Sequence, residues 1–329
     1  MDPLLIIQDL KTYFFTSYGT IRAVDGVSLK IYENDAIGLV GESGSGKTVT
    51  ALSIMGLVPE PGRIIHGNIS FRGQNLLELE ESSMRKIRGK NIAMSFQDPM
   101  TYLNPVMRVG SQIAESIALH QGIDKSDALE KAIEIIKLMR IPSAREVSMS
   151  YPHQLSGGMR QRALIAMAMS CNPDLLIVDE PTTALDIIVG VQIIELLKDL
   201  SRKLNTSLLL ITHDLRVVKQ LCEKIAVMYF GNIVEFGNIQ KIFNNSLHPY
   251  TKALLRSFIR IDEKKDIPLK TIKGWIFDPL NPPTGCKFYP RCQYAKEICK
   301  KQLPGLLEVD PGHYSACIRV NEIRDFLKE

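Results

Sequence analysis

Over roughly the first 250 residues, short apolar runs alternate with longer amphipathic stretches. The runs "SLKI", "AIGLV", "IAMSF", "LLIVD" and "SLLLIT" are short and rich in β-branched and aliphatic residues, and all but "SLKI" show almost no polar alternation. Strands of that kind are buried on both faces, as in a parallel sheet covered by helices. The intervening "TALSIMGLV", "ALEKAIEIIKLM", "ALIAMAM" and "VQIIELLKDLSRKL" carry apolar positions at helical spacing. The pattern predicts an α/β fold. Between Asn104 and Pro152 the strand signal stops, while Ile113, Ile117, Ile133, Ile136 and Met139 keep the helical period. That interruption predicts a helical subdomain, about residues 104–160, inserted into the sheet. Two final strands, "KIAVMYF" and "NIVEFG", lead into a helical "IFNNSLHPYTKALLRS". From about Arg260 the sequence turns rich in Lys, Asp and Pro ("RIDEKKDIPLK", "FDPLNPPTG"), which reads as a linker. The expected division is 1–260 for the main domain and 261–329 for an extension. There is no internal repeat and no heptad run.

Length and composition agree with this division. The chain has 329 residues, 45% hydrophobic and 23% charged, so it can hold a full core and a second small unit. Its formal charge of +4 and the lack of long Lys or Arg runs give no sign of a nucleic-acid track. The start, "MDPLLIIQDL", lacks the basic region of a secretory signal, and no apolar stretch approaches the ~20 residues of a bilayer span. The expectation is an intracellular protein that meets a membrane only through partners.

Candidate chemistry begins at "AIGLVGESGSGKT". Gly41, Gly46, Lys47 and Thr48 form G-x-x-x-x-G-K-T directly after a strand and before a helix. Glycines let consecutive N–H groups point at β- and γ-phosphate oxygens, Lys47 neutralises them, and the Thr48 hydroxyl can ligate Mg²⁺. A second strand, "DLLIVDE", ends in Asp179 and Glu180. Asp179 suits Mg²⁺, which prefers oxygen ligands. Glu180, pointing the other way along the extended chain, can polarise an attacking water. Gln97 and His213 each follow a strand, and ligands gather at the carboxyl ends of strands in doubly wound sheets. In "QLSGGMRQRALIAMAM", Ser156, Gly157 and Gly158 open a strong helix whose N-terminus suits an anion. One ATP does not need two phosphate-binding helix ends, so the second predicts a dimer.

GESGSGKT, FQDP, LSGGMRQR, LLIVDEPTTALD and THD, in that order over residues 5–250, resemble the Walker A, Q-loop, signature, Walker B with D-loop, and H-loop of ABC-type ATPases. The resemblance implies a P-loop NTPase with an inserted helical subdomain and an antiparallel β portion at its N-terminal side. It implies that two such domains pack head to tail, with ATP between one phosphate loop and the other chain's signature. ATP contacts would then come from Gly41, Glu42, Ser43, Gly44, Ser45, Gly46, Lys47, Thr48 and Thr50, and from Ser156, Gly157, Gly158, Gln161 and Asp186 across the interface. Glu180 would be the catalytic carboxylate, His213 the γ-phosphate switch, and Gln97 the sensor of metal and water. Thr48, Gln97 and Asp179 would surround Mg²⁺. An aromatic near the first strand is expected to stack on adenine; Tyr13, Phe14 and Tyr18 compete, and spacing from Leu10 favours Phe14.

More narrowly, "PGRIIHGNISFRGQNLLELEESSMRKIRGKNIAMSFQDPMTYLNP", "HPYTKALL" and "PPTGCKFYPRCQYAKEICKK…PGHYSAC" resemble the D-type ATPase subunit of dipeptide and oligopeptide importers. Tyr102 stands where a serine is common in that family. This implies a different, F-type ATPase as partner, two membrane permease subunits, an external substrate-binding protein, and a peripheral place at the cytoplasmic face. Oligosaccharide or nickel remains open as cargo, because nothing in such a subunit touches it. A soluble ABC ATPase of nucleic acid or ribosomes would carry tandem domains or long coiled coils, and neither is present. Sensing of γ-phosphate at Gln97, beside the helical insertion, predicts that an apolar groove in the 97–120 region takes a short helix of the permease.

Cys286, Cys292, Cys299 and Cys317 cluster in the extension with spacing C-x5-C-x6-C-x17-C. This is neither the knuckle spacing of structural zinc nor a ferredoxin run. Four soft thiolates in a reducing compartment suit zinc or an iron–sulfur cluster rather than disulfides. The importer resemblance implies a 4Fe–4S cluster, with zinc as the alternative; His313 is a further possible ligand. Cys171 and Cys222 stand alone on apolar helical faces and read as core.

Overall fold

The computed structural model describes residues 2–183, 185–257, 272, 274 and 277–327. Of the linker expected from about Arg260, the stretch 260–270 lies outside the described residues, whereas 277–285 is described. In chain order the strands are β1 (Leu5–Thr16), β2 (Gly19–Ile31), β3 (Ala36–Val40), β4 (Gly62–Phe71), β5 (Gln74–Asn75), β6 (Ile92–Ser95), β7 (Leu175–Asp179), β8 (Ser207–Thr212), β9 (Lys224–Tyr229), β10 (Asn232–Asn238), β11 (Leu307–Asp310) and β12 (His313–Ser315). They belong to two compact units.

One unit comprises the first residues of the chain, Ile31–Ala36 and Leu76–Ile211. Its sheet is parallel, with β7 between β6 and β8. Every residue of these three strands is buried, which is why their sequences run apolar without alternation. Between β6 and β7 the chain forms helices Val109–Gln121, Lys125–Leu138, Ala144–Met149 and Gly157–Met169, the insertion expected from periodicity. Ile113, Ile117, Ile133, Ile136 and Met139 are all buried there. Gly122, at φ 66°, ends the first of these helices, and the Asp124 carboxylate accepts the Ser126 and Asp127 N–H groups to start the next.

The other unit comprises Leu5–Lys30, Ile37–Asn75 and Thr212–Glu329. It holds an N-terminal sheet of order β2-β1-β4-β5, whose β1 and β4 pair antiparallel, as the resemblance implied. Its second sheet sets β3 parallel to β9, with β10, β12 and β11 following antiparallel. Only Phe230 and Gly231 separate β9 from β10, at φ 44° and 81°, and a two-residue hairpin with both angles positive matches the twist of its strands.

The cysteine-bearing extension joins this sheet: Glu235, Phe236 and Gly237 of β10 pair with Ser315, Tyr314 and His313. Glu235 is fully buried and saturated with donors. Its carboxylate accepts Nε2–H of His313 at 2.7 Å and the N–H groups of Leu247 and His248 at 2.7 and 3.0 Å. A buried carboxylate persists only with such partners, and these tie β12 and the start of helix Pro249–Arg256 to β10. Among the described residues no helix is long and apolar enough to cross a membrane.

Candidate active site

The loop after β3 is shaped by contacts that exclude side chains. A Cβ on Gly41 would lie 2.1 Å from the Met228 carbonyl oxygen, and one on Gly46 would lie 2.2 Å from that of Ala23. Gly44 and Gly46 adopt φ 77° and 101°, a conformation that favours glycine. Lys47 is buried, and its ammonium donates to the carbonyls of Gly41 and Glu42 at 2.9 and 3.1 Å, so it curls over the loop. Ser43, Gly44 and Thr48 face solvent, while Ser45 is buried and, among the described residues, its hydroxyl has no hydrogen-bond partner. Helix Lys47–Met55 begins without a capping side chain and without an acid in its first turn. Such a helix start is built to receive an anion. Thr50 differs from its neighbours: it is fully buried and its hydroxyl donates to Gly46 O at 3.0 Å.

Glu42 is anchored from several sides. Its N–H donates to the Tyr250 hydroxyl at 2.9 Å, and the Arg291 guanidinium donates to both its carboxylate oxygens at 2.8 and 3.1 Å. Of the aromatics near β1, the Tyr13 hydroxyl donates to Asp25 at 2.6 Å and Arg22 lies over its ring. Phe14 packs against Gly62 of β4, and Tyr18 is 87% exposed. His213, directly after β8, is exposed in this unit.

In the parallel-sheet unit, register does the positioning. Ser95 pairs with Val178 and Asp179 with Ile211, so Gln97, Asp179 and Glu180 emerge at one edge of the sheet. Asp179 is 2% exposed and Gln97 faces solvent. Glu180 sits at φ 48°; its N–H donates to Ile211 O at 2.8 Å, and the Thr183 hydroxyl donates to its carboxylate at 3.1 Å. Non-glycine residues rarely hold this backbone, and it aims the carboxylate away from the direction a regular strand would give.

Ser156 caps helix Gly157–Met169 by accepting the Met159 N–H at 3.3 Å, and it is exposed. A Cβ on Gly158 would meet Val189 at 2.6 Å, so glycine lets the helix approach that of Ile187–Leu204. Asp186 caps the latter through the Val189 N–H at 2.9 Å, beside Ile187 and Ile188, which are 82% and 72% exposed. Gln161, in contrast, is 1% exposed and its amide nitrogen has no partner among the described residues, which puts it inside the unit rather than at the helix tip.

Cys286, Cys292, Cys299 and Cys317 line one cavity together with His248, Phe288, Tyr289, Tyr294 and Ile318. Burial raises the Cys286 thiol and pushes Cys292 up to about 11 and Cys317 up to about 12. No disulfide forms. Among the described residues no three His, Cys, Asp or Glu side chains are placed to hold a single metal ion. His313 is engaged with Glu235 and does not line the cavity. Cys222 is buried, and Cys171 is half-buried with its thiol against Ser116; both stand just past a helix end.

Comparison with known proteins gives a family model described as "ABC transporter" at residues 24–183, and one described as "Oligopeptide/dipeptide transporter, C-terminal region" at 234–299. The chain is 46% identical to the "Probable peptide ABC transporter ATP-binding protein y4tR" of Sinorhizobium fredii, over 98% of this chain and 96% of that one. It is also 46% identical to the "Oligopeptide transport ATP-binding protein AppD" of Bacillus subtilis, over 98% of each. The ATP-binding cassette MJ0796, solved as a dimer in a post-hydrolysis state bound to ADP and Pi, superposes with a TM-score of 0.65 at 25% identity. That match covers 71% of this chain and 98% of the other.

Proposed function

This chain belongs to the ABC transporter ATP-binding proteins, in their oligopeptide and dipeptide branch, and we propose that it hydrolyses ATP to drive peptide import through membrane permease subunits. The observation that carries this reading is the presence of two anion-ready helix ends in one chain. One is the glycine cradle before Lys47–Met55, and the other is the exposed, Ser156-capped end of Gly157–Met169. A dimer joins the first of one subunit to the second of the other. The phosphate loop Gly41–Thr48 holds the β- and γ-phosphates, with Lys47 released from the loop carbonyls to meet them. Asp179, Thr48 and Gln97 offer the hard oxygen donors that suit Mg²⁺; the ion, when bound, neutralises charge on the phosphates. Glu180 accepts the proton of the attacking water, His213 holds the γ-phosphate, and Asp186 meets the partner subunit.

The partner is an F-type ATPase subunit, and the assembly sits at the cytoplasmic face below two permease subunits fed by an external binding protein. Around the helical insertion, Met100, Tyr102, Val106, Leu119 and Met149 are 46–78% exposed, and Phe96 stacks on Tyr102 with centroids 3.9 Å apart. That apolar ground beside Gln97 supports docking of a short permease helix there.

The four cysteines that line one cavity support a 4Fe–4S cluster held by their thiolates, with zinc as the alternative. When bound, the cluster ties the extension together; it supplies no step of ATP hydrolysis.

The central test uses the chain assembled with its partner subunits in vesicles. Glu180→Gln should retain ATP binding while hydrolysis and peptide uptake fall by about two orders of magnitude or more, the scale of a lost general base. Near-normal hydrolysis would remove Glu180 from that role. Ligand binding by the cognate external binding protein identifies the cargo.

A further inference from the structure

The phosphate loop carries a carboxylate where it is to receive a polyanion. Glu42 follows Gly41, and its carbonyl already accepts Lys47 Nζ at 3.1 Å. An unneutralised carboxylate in such a cradle repels phosphates and draws on the same lysine. The structure shows what neutralises it. Arg291 spans both Glu42 oxygens, and its side chain is 4% exposed against 26% for Glu42. The guanidinium lies within 6.0 Å of the Tyr229 and Phe288 ring centroids and contacts the Tyr229 hydroxyl at 3.4 Å. Bidentate pairing in a half-desolvated setting, walled by aromatic rings, is the strong form of such a contact.

Arg291 does not come from the nucleotide-binding segments. It ends the short turn Tyr289–Arg291 between Cys286 and Cys292, fixed by Tyr289 N–H to Cys286 O and Arg291 N–H to Phe288 O, each 3.0 Å. The same segment sends Lys287, 6% exposed, to Asp25 at 3.4 Å, and Asp25 holds the Tyr13 hydroxyl. The cysteine-bearing extension thus reaches the phosphate loop with one buried cation and the strand β2 with another.

We propose that Arg291 is a positioning residue for ATP: it neutralises the Glu42 carboxylate and turns it toward the extension, leaving the phosphate loop open to the nucleotide. This rests on the phosphate-loop reading of Gly41–Thr48. Removing Arg291 frees a negative charge in the loop, so ATP affinity falls while the chemistry at Glu180 is untouched. Removing the carboxylate as well takes away the repulsion, so affinity returns. A contact that only stabilised the fold would show no such rescue.

The test uses the full chain assembled with its partner subunits, reading KM and kcat for MgATP, equilibrium ATP binding and thermal melting. Arg291→Gln should raise KM and Kd about tenfold, a typical coupling between a supporting contact and a ligand site, with kcat held within about twofold. Arg291→Lys, which keeps the charge but not the fork, should give a smaller rise. Arg291→Gln combined with Glu42→Gln should bind ATP more tightly than Arg291→Gln alone. An unchanged KM in Arg291→Gln, or no recovery in the double variant, overturns the proposal provided that Lys47→Ala loses ATP binding in the same assay. Normal binding by Lys47→Ala would overturn the phosphate-loop reading and this proposal with it. If Arg291→Gln does not fold, an unchanged KM in Arg291→Lys overturns it.

Discussion

A methyl group at Gly41 would stand 2.1 Å from the Met228 carbonyl oxygen and 2.8 Å from the Ser45 hydroxyl. The first obstacle is backbone, so no rotamer change relieves it, and the loop itself must shift. Gly41→Ala should therefore lower stability by about 1–3 kcal/mol, the usual cost of overpacking, and weaken ATP binding in the folded fraction; melting curves and equilibrium binding check both. At this scale the sequence was informative about residue type and less so about direction. The spacing of Gly41, Gly46 and Lys47 located the cradle. The same spacing singles out Thr48, which is exposed at the helix start, whereas Thr50, an ATP contact only by resemblance, has its hydroxyl spent on Gly46 O. Gln161 likewise followed the signature in sequence but turns into the unit, because residues a few positions along a helix sit on different faces. The grip of Arg291 on Glu42 spans 249 positions and leaves no local trace.

Helices and strands were legible where burial is extreme. β6, β7 and β8 are wholly buried and therefore continuously apolar, and the inserted helices kept their period because each covers a core face. β11 and β12 were not foreseen. They have four and three residues, β11 has no buried residue, and the pairing of β12 with β10, on which β11 follows, is a long-range choice that composition does not encode. Asp186 shows two roles laid on one residue. The family resemblance implies a cross-interface contact for it, and it is also the cap of the 18-residue helix Ile187–Leu204. Capping needs only a short side-chain oxygen, whereas a contact with the partner subunit needs the carboxylate. Asp186→Ala should cost about 1 kcal/mol of stability, while Asp186→Ser should keep the melting temperature near wild type. Both should lower ATP turnover of the assembled dimer. Normal turnover in Asp186→Ser would reduce Asp186 to a cap.

At the scale of the whole chain, the change of composition near residue 260 does not coincide with the boundary of a compact unit. The extension after it contributes β11 and β12 to the sheet of β10, and its Lys287 and Arg291 are buried against Asp25 and Glu42 in the same unit. This placement gives the four cysteines a structural weight their number alone would not. Cys286, Cys292 and Cys299 flank or follow the turn that holds Arg291, and Cys317 follows β12, so a group joining them would brace both attachments of the extension. Metal affinity of that kind is folding free energy. The full chain purified without oxygen should be brown and carry about four irons and four sulfides, and Cys292→Ser should lose iron and colour and melt at a lower temperature. A colourless wild-type protein holding about one zinc would overturn the cluster reading. A Cys292→Ser variant that loses iron yet melts like wild type would separate the cluster from the bracing of the fold, because the protein–protein contacts of Glu235, His313 and Arg291 would then suffice to hold the extension in place.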